Sequence, residues 1–171
     1  MAANDVLVDA YGRITQVVER AIDGIDPAGL TWQPEPGSNP IAWLVWHLTR
    51  IQDDHLAKLA GEPQVWETDG WPERFGLESG SMETGHGHTM EQVLTVRPDS
   101  VTTLREYHDW VSERSQAYLA DLDDAELQRV VDDSYDPPVT LGVRLVSVIS
   151  DNLQHAGQAR YLRGMYDRLQ G

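Results

Sequence analysis

The chain has 171 residues, enough to bury an apolar core without covalent cross-links. Thirteen Lys and Arg stand against 28 Asp and Glu, a net charge of −15. That charge repels phosphate backbones and anionic lipid surfaces, so neither nucleic acid nor a membrane is an expected partner. With no cysteine, disulfides, thiolate zinc sites and a cysteine nucleophile are excluded, and any thiol chemistry needs a thiol from outside the chain. No stretch approaches the roughly 20 apolar residues that cross a bilayer, and the opening residues lack a basic segment followed by an apolar run. The expectation is a single cytoplasmic domain over residues 1–171.

Apolar periodicity predicts four long helices near residues 5–23, 39–60, 98–121 and 140–168. The first carries Leu7, Ala10, Ile14, Val17 and Ala21 at spacings of three and four, a buried helical stripe, and Gly24, Pro27 and Gly29 follow it. In the second, Ser38 and Asn39 are N-cap candidates, and Pro40 suits a first turn in which its missing N–H is not needed. Its stripe is Ile41, Leu44, Leu48 and Ile51, and Gly61 and Pro63 close it.

Between the second and third helices lies a long crossover, from Gly61 to about Arg97. It is rich in glycine and holds Trp66, Trp71, Phe75 and the run Gly85-His86-Gly87-His88. Thr89 and Gln92 have the spacing of a capping box for a short helix there. The third helix, starting near Pro98, steps Val101, Leu104, His108, Val111, Ser115, Tyr118, Leu122, a heptad seam, with Asp123 and Asp124 beginning a short extra turn. The fourth follows an Asp-rich loop and Pro137-Pro138, has Thr140 as N-cap, and carries Leu141, Leu145, Val148, Asp151, His155, Ala159 and Leu162 on one face. Strand signals are absent. Two helical hairpins joined by a long crossover predict an all-α four-helix bundle, a fold that builds metal sites from facing helices.

Two polar residues interrupt the last stripe. Asp151 and His155 are four apart, so their side chains leave the helix on one face with Cβ atoms roughly 5–6 Å apart. His47 lies three residues after Leu44 and four before Ile51, and so points inward from the second helix. Buried ionisable groups need a partner, and one cation held by all three would supply it. Two imidazoles and a carboxylate suit zinc, nickel or ferrous iron and leave positions open for water or substrate. The same spacing also fits a hydrogen-bonded core histidine and a simple helix ion pair.

Asn39-Pro-Ile-Ala-Trp-Leu-Val-Trp-His47-Leu48 and Asp151-Asn-Leu-Gln-His155-Ala-Gly-Gln-Ala-Arg-Tyr-Leu-Arg163-Gly164 resemble the two signature regions of the DinB-like superfamily. That superfamily includes thiol-dependent transferases and the metal-binding domain of mycothiol-dependent maleylpyruvate isomerases. The resemblance implies the four-helix fold and a metal held by His47, Asp151 and His155, with Asp151 standing where the family places His or Glu. Gly157 and Gln158 are similar to the family's His-x-Gly-Gln ending. The implied activity is that of a metal-dependent transferase or isomerase using a small thiol such as mycothiol. A metal-dependent hydrolase and a non-enzymatic metal- or ligand-binding protein remain alternatives.

Other residues carry lesser expectations. Arg144, two turns before Asp151 on the same stripe, can contact an anionic small-molecule substrate or pair with the acidic loop. His108 on the seam reads as a core histidine, with a place facing the metal cavity as the alternative, His55 as a solvated or neighbouring group near the helix end, and His86 and His88 as part of a mobile polar loop, with a metal-binding tract as the alternative. Trp71 and Phe75 either close over a pocket or anchor the loop. Trp43, Trp46 and Tyr161 suggest an apolar face for a homodimer.

Overall fold

A computed structural model describes residues 2–171. Helix α1 (Ala3–Ile22) is followed by the short α2 (Pro27–Thr31), then α3 (Ile41–Ala60). The crossover holds a 3-10 turn at Val65–Glu67 and two short helices, α4 (Trp71–Arg74) and α5 (Met90–Val93). Helix α6 (Val101–Ala120), a 3-10 turn at Glu126–Gln128, the strands β1 (Val130–Asp132) and β2 (Val139–Thr140), and α7 (Leu141–Gln170) complete the chain.

The four long helices arise where the apolar periodicity places them. α1 and α3 each pack on both α6 and α7, so α1 and α3 lie on one diagonal of a four-cornered bundle. Cross-helix bonds fix the directions. Gln52 on α3 accepts from Asn152 on α7 at 2.8 Å, and Thr15 on α1 bonds Ser112 on α6 at 2.8 Å; with the other contacts these make α3/α7 and α1/α6 antiparallel. Helices α3 and α6 run parallel, pairing Thr49 with His108 and Gln52 with Ser115. Parallel helices need a connection as long as themselves, and the 61–97 crossover is that connection.

Local chemistry explains most boundaries. Ser100 accepts from the Thr103 N–H at 3.1 Å to start α6, and Thr140 accepts from the Val143 N–H at 3.4 Å to start α7. Thr89 and Gln92 form the expected reciprocal cap of α5. Gly61 ends α3 in the left-handed conformation (φ 72°), which costs a residue without Cβ little. Helix α3 departs from expectation: Pro40 itself occupies the N-cap, extended at φ −73°, ψ 162°, and no side chain caps it. Pro27 opens α2, with Asp26 accepting from the Gly29 N–H at 2.7 Å.

Two expectations are corrected. The sequence carries no strand signal, yet β1 and β2 pair antiparallel, Val130 opposite Thr140, bringing the Asp-rich loop back onto the start of α7. The aromatic face proposed for self-association is largely internal: Trp43 and Trp46 are buried, and only Tyr161 is exposed, at 69 %. α3 is buried on every side from Ile41 to Arg50, because the crossover covers the face that the bundle leaves open.

The crossover is fastened from within. Arg50, fully buried, donates to the carbonyl oxygens of Glu83 (3.0 Å) and Met82 (3.3 Å), to Gln64 Oε1 (2.8 Å) and to the Tyr107 hydroxyl (3.2 Å). Asp53, 3.5 Å from the guanidinium, accepts from the N–H groups of Val65 and Trp66 and from the Tyr107 hydroxyl. Trp66, Trp71, Phe75 and Tyr107 pack ring against ring around this pair. Trp71 and Phe75 are therefore anchors of the loop, 3 % and 0 % exposed.

Candidate metal centre

Antiparallel packing of α3 on α7 sets His47 opposite Asp151 and His155. One potential ligand atom from each lies within 4.8 Å of the others, the one such group of three or more His, Asp or Glu residues among the described residues. The imidazoles of His47 and His155 meet edge to face at 4.6 Å between centroids. His47 is buried, while the side chains of Asp151 and His155 keep 37 % and 20 % exposure. The three donors thus sit below the surface and open on the α7 side.

Each imidazole is oriented by the main chain. His47 Nδ1 lies 2.6 Å from the Thr84 carbonyl oxygen, and His155 Nδ1 lies 2.9 Å from the carbonyl oxygen of Asp151. A carbonyl only accepts, so in each neutral ring the proton sits on Nδ1 and the lone pair is left on Nε2. This is the arrangement in which a metal-ligating histidine is fixed by its other nitrogen. The Trp43 indole stacks on His47 at 4.6 Å and 12°, holding the ring plane.

Asp151 supplies the charge. Its Oδ2 is buried and receives no hydrogen bond; His155 Nδ1 is 3.3 Å away but directs its proton to the nearer backbone carbonyl. Burial pushes the Asp151 carboxyl up, but His155, with the charges of His47 and His55, outweighs this and leaves it below its ordinary value. Contact with Asp151 raises His155 against the effect of its burial. His47 is pushed down by burial, which favours the neutral, lone-pair-bearing ring. A carboxylate oxygen without a hydrogen-bond partner, grouped with two imidazoles, fits the needs of a divalent cation.

The other candidates separate from this group. Arg144 donates to Asp132 of β1 at 2.8 Å, taking the partner that the acidic loop offers. His55 lines a cleft with Arg144 whose lining includes none of the three donors. His108 is a core residue, bonded through Nδ1 to Thr49 at 3.0 Å. His86 is exposed, but His88 is not part of a mobile loop: its side chain is 5 % exposed, accepts from the Trp43 indole N–H at 3.3 Å and stacks on Trp46.

Sequence reasoning missed the role of the 82–88 segment, whose backbone lies directly on His47. Its signal was Gly85. A Cβ there would stand 2.8 Å from His47 Nδ1 and 2.9 Å from the Trp46 ring, and its φ is +91°. Only glycine lets the chain approach this closely in that conformation. Over His47 the crossover therefore leaves no room for a ligand, and the α7 side is the open one, where Asp151 borders a shallow groove with Val143, Val146 and Ser150.

Comparison with known proteins agrees with this architecture. The crystal structure of a conserved protein from Enterococcus faecalis superposes with a TM-score of 0.87 at 28 % sequence identity, covering 95 % of this chain and 96 % of that one. Comparison with curated proteins returns no match. The sequence profile of the DinB superfamily matches residues 10–159, a span that includes all three donors and the whole crossover, and the chain belongs to the DinB superfamily.

Proposed function

We propose that His47, Asp151 and His155 hold one divalent metal ion, and that the chain is a metal-dependent enzyme acting on a small molecule with a low-molecular-weight thiol such as mycothiol as cosubstrate. The observation that carries the metal reading is the donor set: three residues that each offer a ligand atom within 4.8 Å of the others, both imidazoles held through Nδ1 by a backbone carbonyl and the carboxylate having an oxygen without a hydrogen-bond partner. Two nitrogens and one oxygen suit zinc, nickel or ferrous iron. Such an ion supplies Lewis acidity, either to a bound water or to a thiolate.

The protein's own contribution is orientation. Thr84 and Trp43 hold His47, the α7 backbone holds His155, and the partial exposure of Asp151 and His155 leaves an approach for reactants. The thiol reading rests on kinship and on the absence of a cysteine that would compete for the ion. A cytoplasmic setting keeps such a thiol reduced. Residues 1–171 act as one unit in this reading, with Arg144 as a substrate contact.

Metal content of untagged protein purified without chelator tests it first. Wild type is expected to carry close to one equivalent and His155→Ala far less; stoichiometric metal in the variant overturns the site. Asp151→Asn replaces a carboxylate by an amide of nearly the same shape and is expected to weaken metal retention. Calorimetry with small thiols tests the second half. Metal-loaded protein that neither binds nor turns over a thiol removes the transferase or isomerase reading and puts a metal-dependent hydrolase or a non-catalytic metal-binding role in its place.

A further inference from the structure

The basic residues of this acidic chain are not evenly spread. Lys58 of α3, Arg129 before β1 and Arg144 of α7 line one cleft of about 500 Å³. Asp132 and Asp133 line it too, so three cations face two carboxylates and one positive charge is left over. Lys58 and Arg129 form no ion pair among the described residues, and Arg144 spends a single hydrogen bond on Asp132. A guanidinium carries further N–H donors in a fixed fork matched to a carboxylate. Leu59 and Val131, both half-buried, give the cleft an apolar wall.

We propose that this cleft binds the carboxylate of a small organic acid, held by Arg144 and Lys58, with its apolar body against Leu59 and Val131. A single surplus charge is matched by a carboxylate rather than by a phosphate dianion. In a molecule of net charge −15, an anionic substrate is repelled everywhere except where cations are concentrated. The cleft shares helix α7 with two of the three donors. Arg144 lies two helical turns, about 10 Å, from Asp151 along α7. His55, which also lines the cleft, is pushed down mainly by burial; the charge of Asp54 raises it, those of Arg144 and Lys58 lower it, and that of Asp151 raises it. The inference deepens the proposed function, since it places one end of the substrate while the metal donors face the other.

Calorimetric titration with hexanoate, and separately with inorganic phosphate, tests it in low-chloride buffer on full-length protein, both chelator-treated and zinc-loaded. Saturable hexanoate binding in both preparations, weakened about tenfold in Arg144→Gln and unaffected in Arg20→Gln, is the expected result. Thermal melts of the variants establish that they are folded, and Lys58→Gln gives a second reading should Arg144→Gln melt early. Absence of saturable hexanoate binding in both preparations overturns the proposal, as does tighter binding of phosphate than of hexanoate. Because the chelator-treated arm needs no metal, failure of the metal site and failure of the anion cleft give different results.

Discussion

His108 shows what burial does to a single side chain in this fold. It is 2 % exposed. The Thr49 hydroxyl gives its proton to Val45 at 2.7 Å, so it accepts from His108 Nδ1, and Nε2 is left with a buried lone pair and no partner. A second proton would have nowhere to donate, and burial lowers the pKa from its usual 6.5 to about 4. The unfolded chain therefore binds a proton at higher pH than the folded one. Stability is fully present above about 6.5 and is lost as pH falls towards about 4, on the order of 3 kcal/mol for this residue. Denaturant titrations at both ends of that window are expected to show a shallower fall for His108→Gln than for wild type; equal slopes would assign the acid sensitivity elsewhere. Gly85→Ala makes a second case. The new Cβ meets the His47 and Trp46 rings at a backbone φ of +91°, so a loss of roughly 1–3 kcal/mol is expected together with weaker metal retention. A variant that matches wild type in both melting temperature and metal content would show that the segment can retreat at no cost.

Among the elements, the crossover is the one whose behaviour its sequence disguises. Its glycines and length suggest mobility, but Arg50 and Asp53 tie it to α3 from inside. Arg50→Met removes one member of a buried pair and leaves Asp53 uncompensated, so a loss of about 3–5 kcal/mol is expected. Proteolysis should then begin within residues 61–88; a variant that melts like wild type and resists protease would deny the hub its role. The same contrast measures how far the sequence can be read. The four long helices and the caps at Thr89 and Thr140 follow from periodicity and spacing, which are local properties, and so does the inward placing of His47, Asp151 and His155, although a metal at these three is implied only by the family resemblance. The hairpin does not: its strands have three and two residues and lie in a run of Asp and Pro without alternation, so only pairing across the loop defines them. Pro40 fooled the cap rule because a proline suits the N-cap's extended backbone as well as the first turn. Arg50 and Asp53 read as ordinary polar helix residues, because nothing within a few positions reveals that crossover residues 12 to 33 positions further on will bury them.

At the scale of the whole molecule, a net charge of −15 means that folding concentrates like charges. The described ion pairs are mostly exposed, such as Arg13 with Asp9 and Arg105 with Glu19, and contribute little. Self-repulsion should therefore dominate the salt response. Raising ionic strength from about 0.01 M to about 1 M shortens the screening length from about 30 Å to about 3 Å, and the melting temperature is expected to rise. A fall would mean that the exposed pairs outweigh the net charge. If His47, Asp151 and His155 hold the cation proposed above, the same negative field draws it towards them while keeping anions away, so screening should weaken metal association even as it strengthens the fold.

The bond from His47 to the Thr84 carbonyl bears on how this protein records damage. A main-chain oxygen survives every ordinary side-chain substitution, so a systematic alanine scan would pass over position 84 and report it as dispensable. The lesion that removes this contact is displaced in sequence, to Gly85, where any side chain must push the backbone off the ring, and to Arg50, which holds the two preceding carbonyls. A map of sensitive positions would thus mark a glycine and a remote arginine, and leave blank the residue whose atom makes the contact.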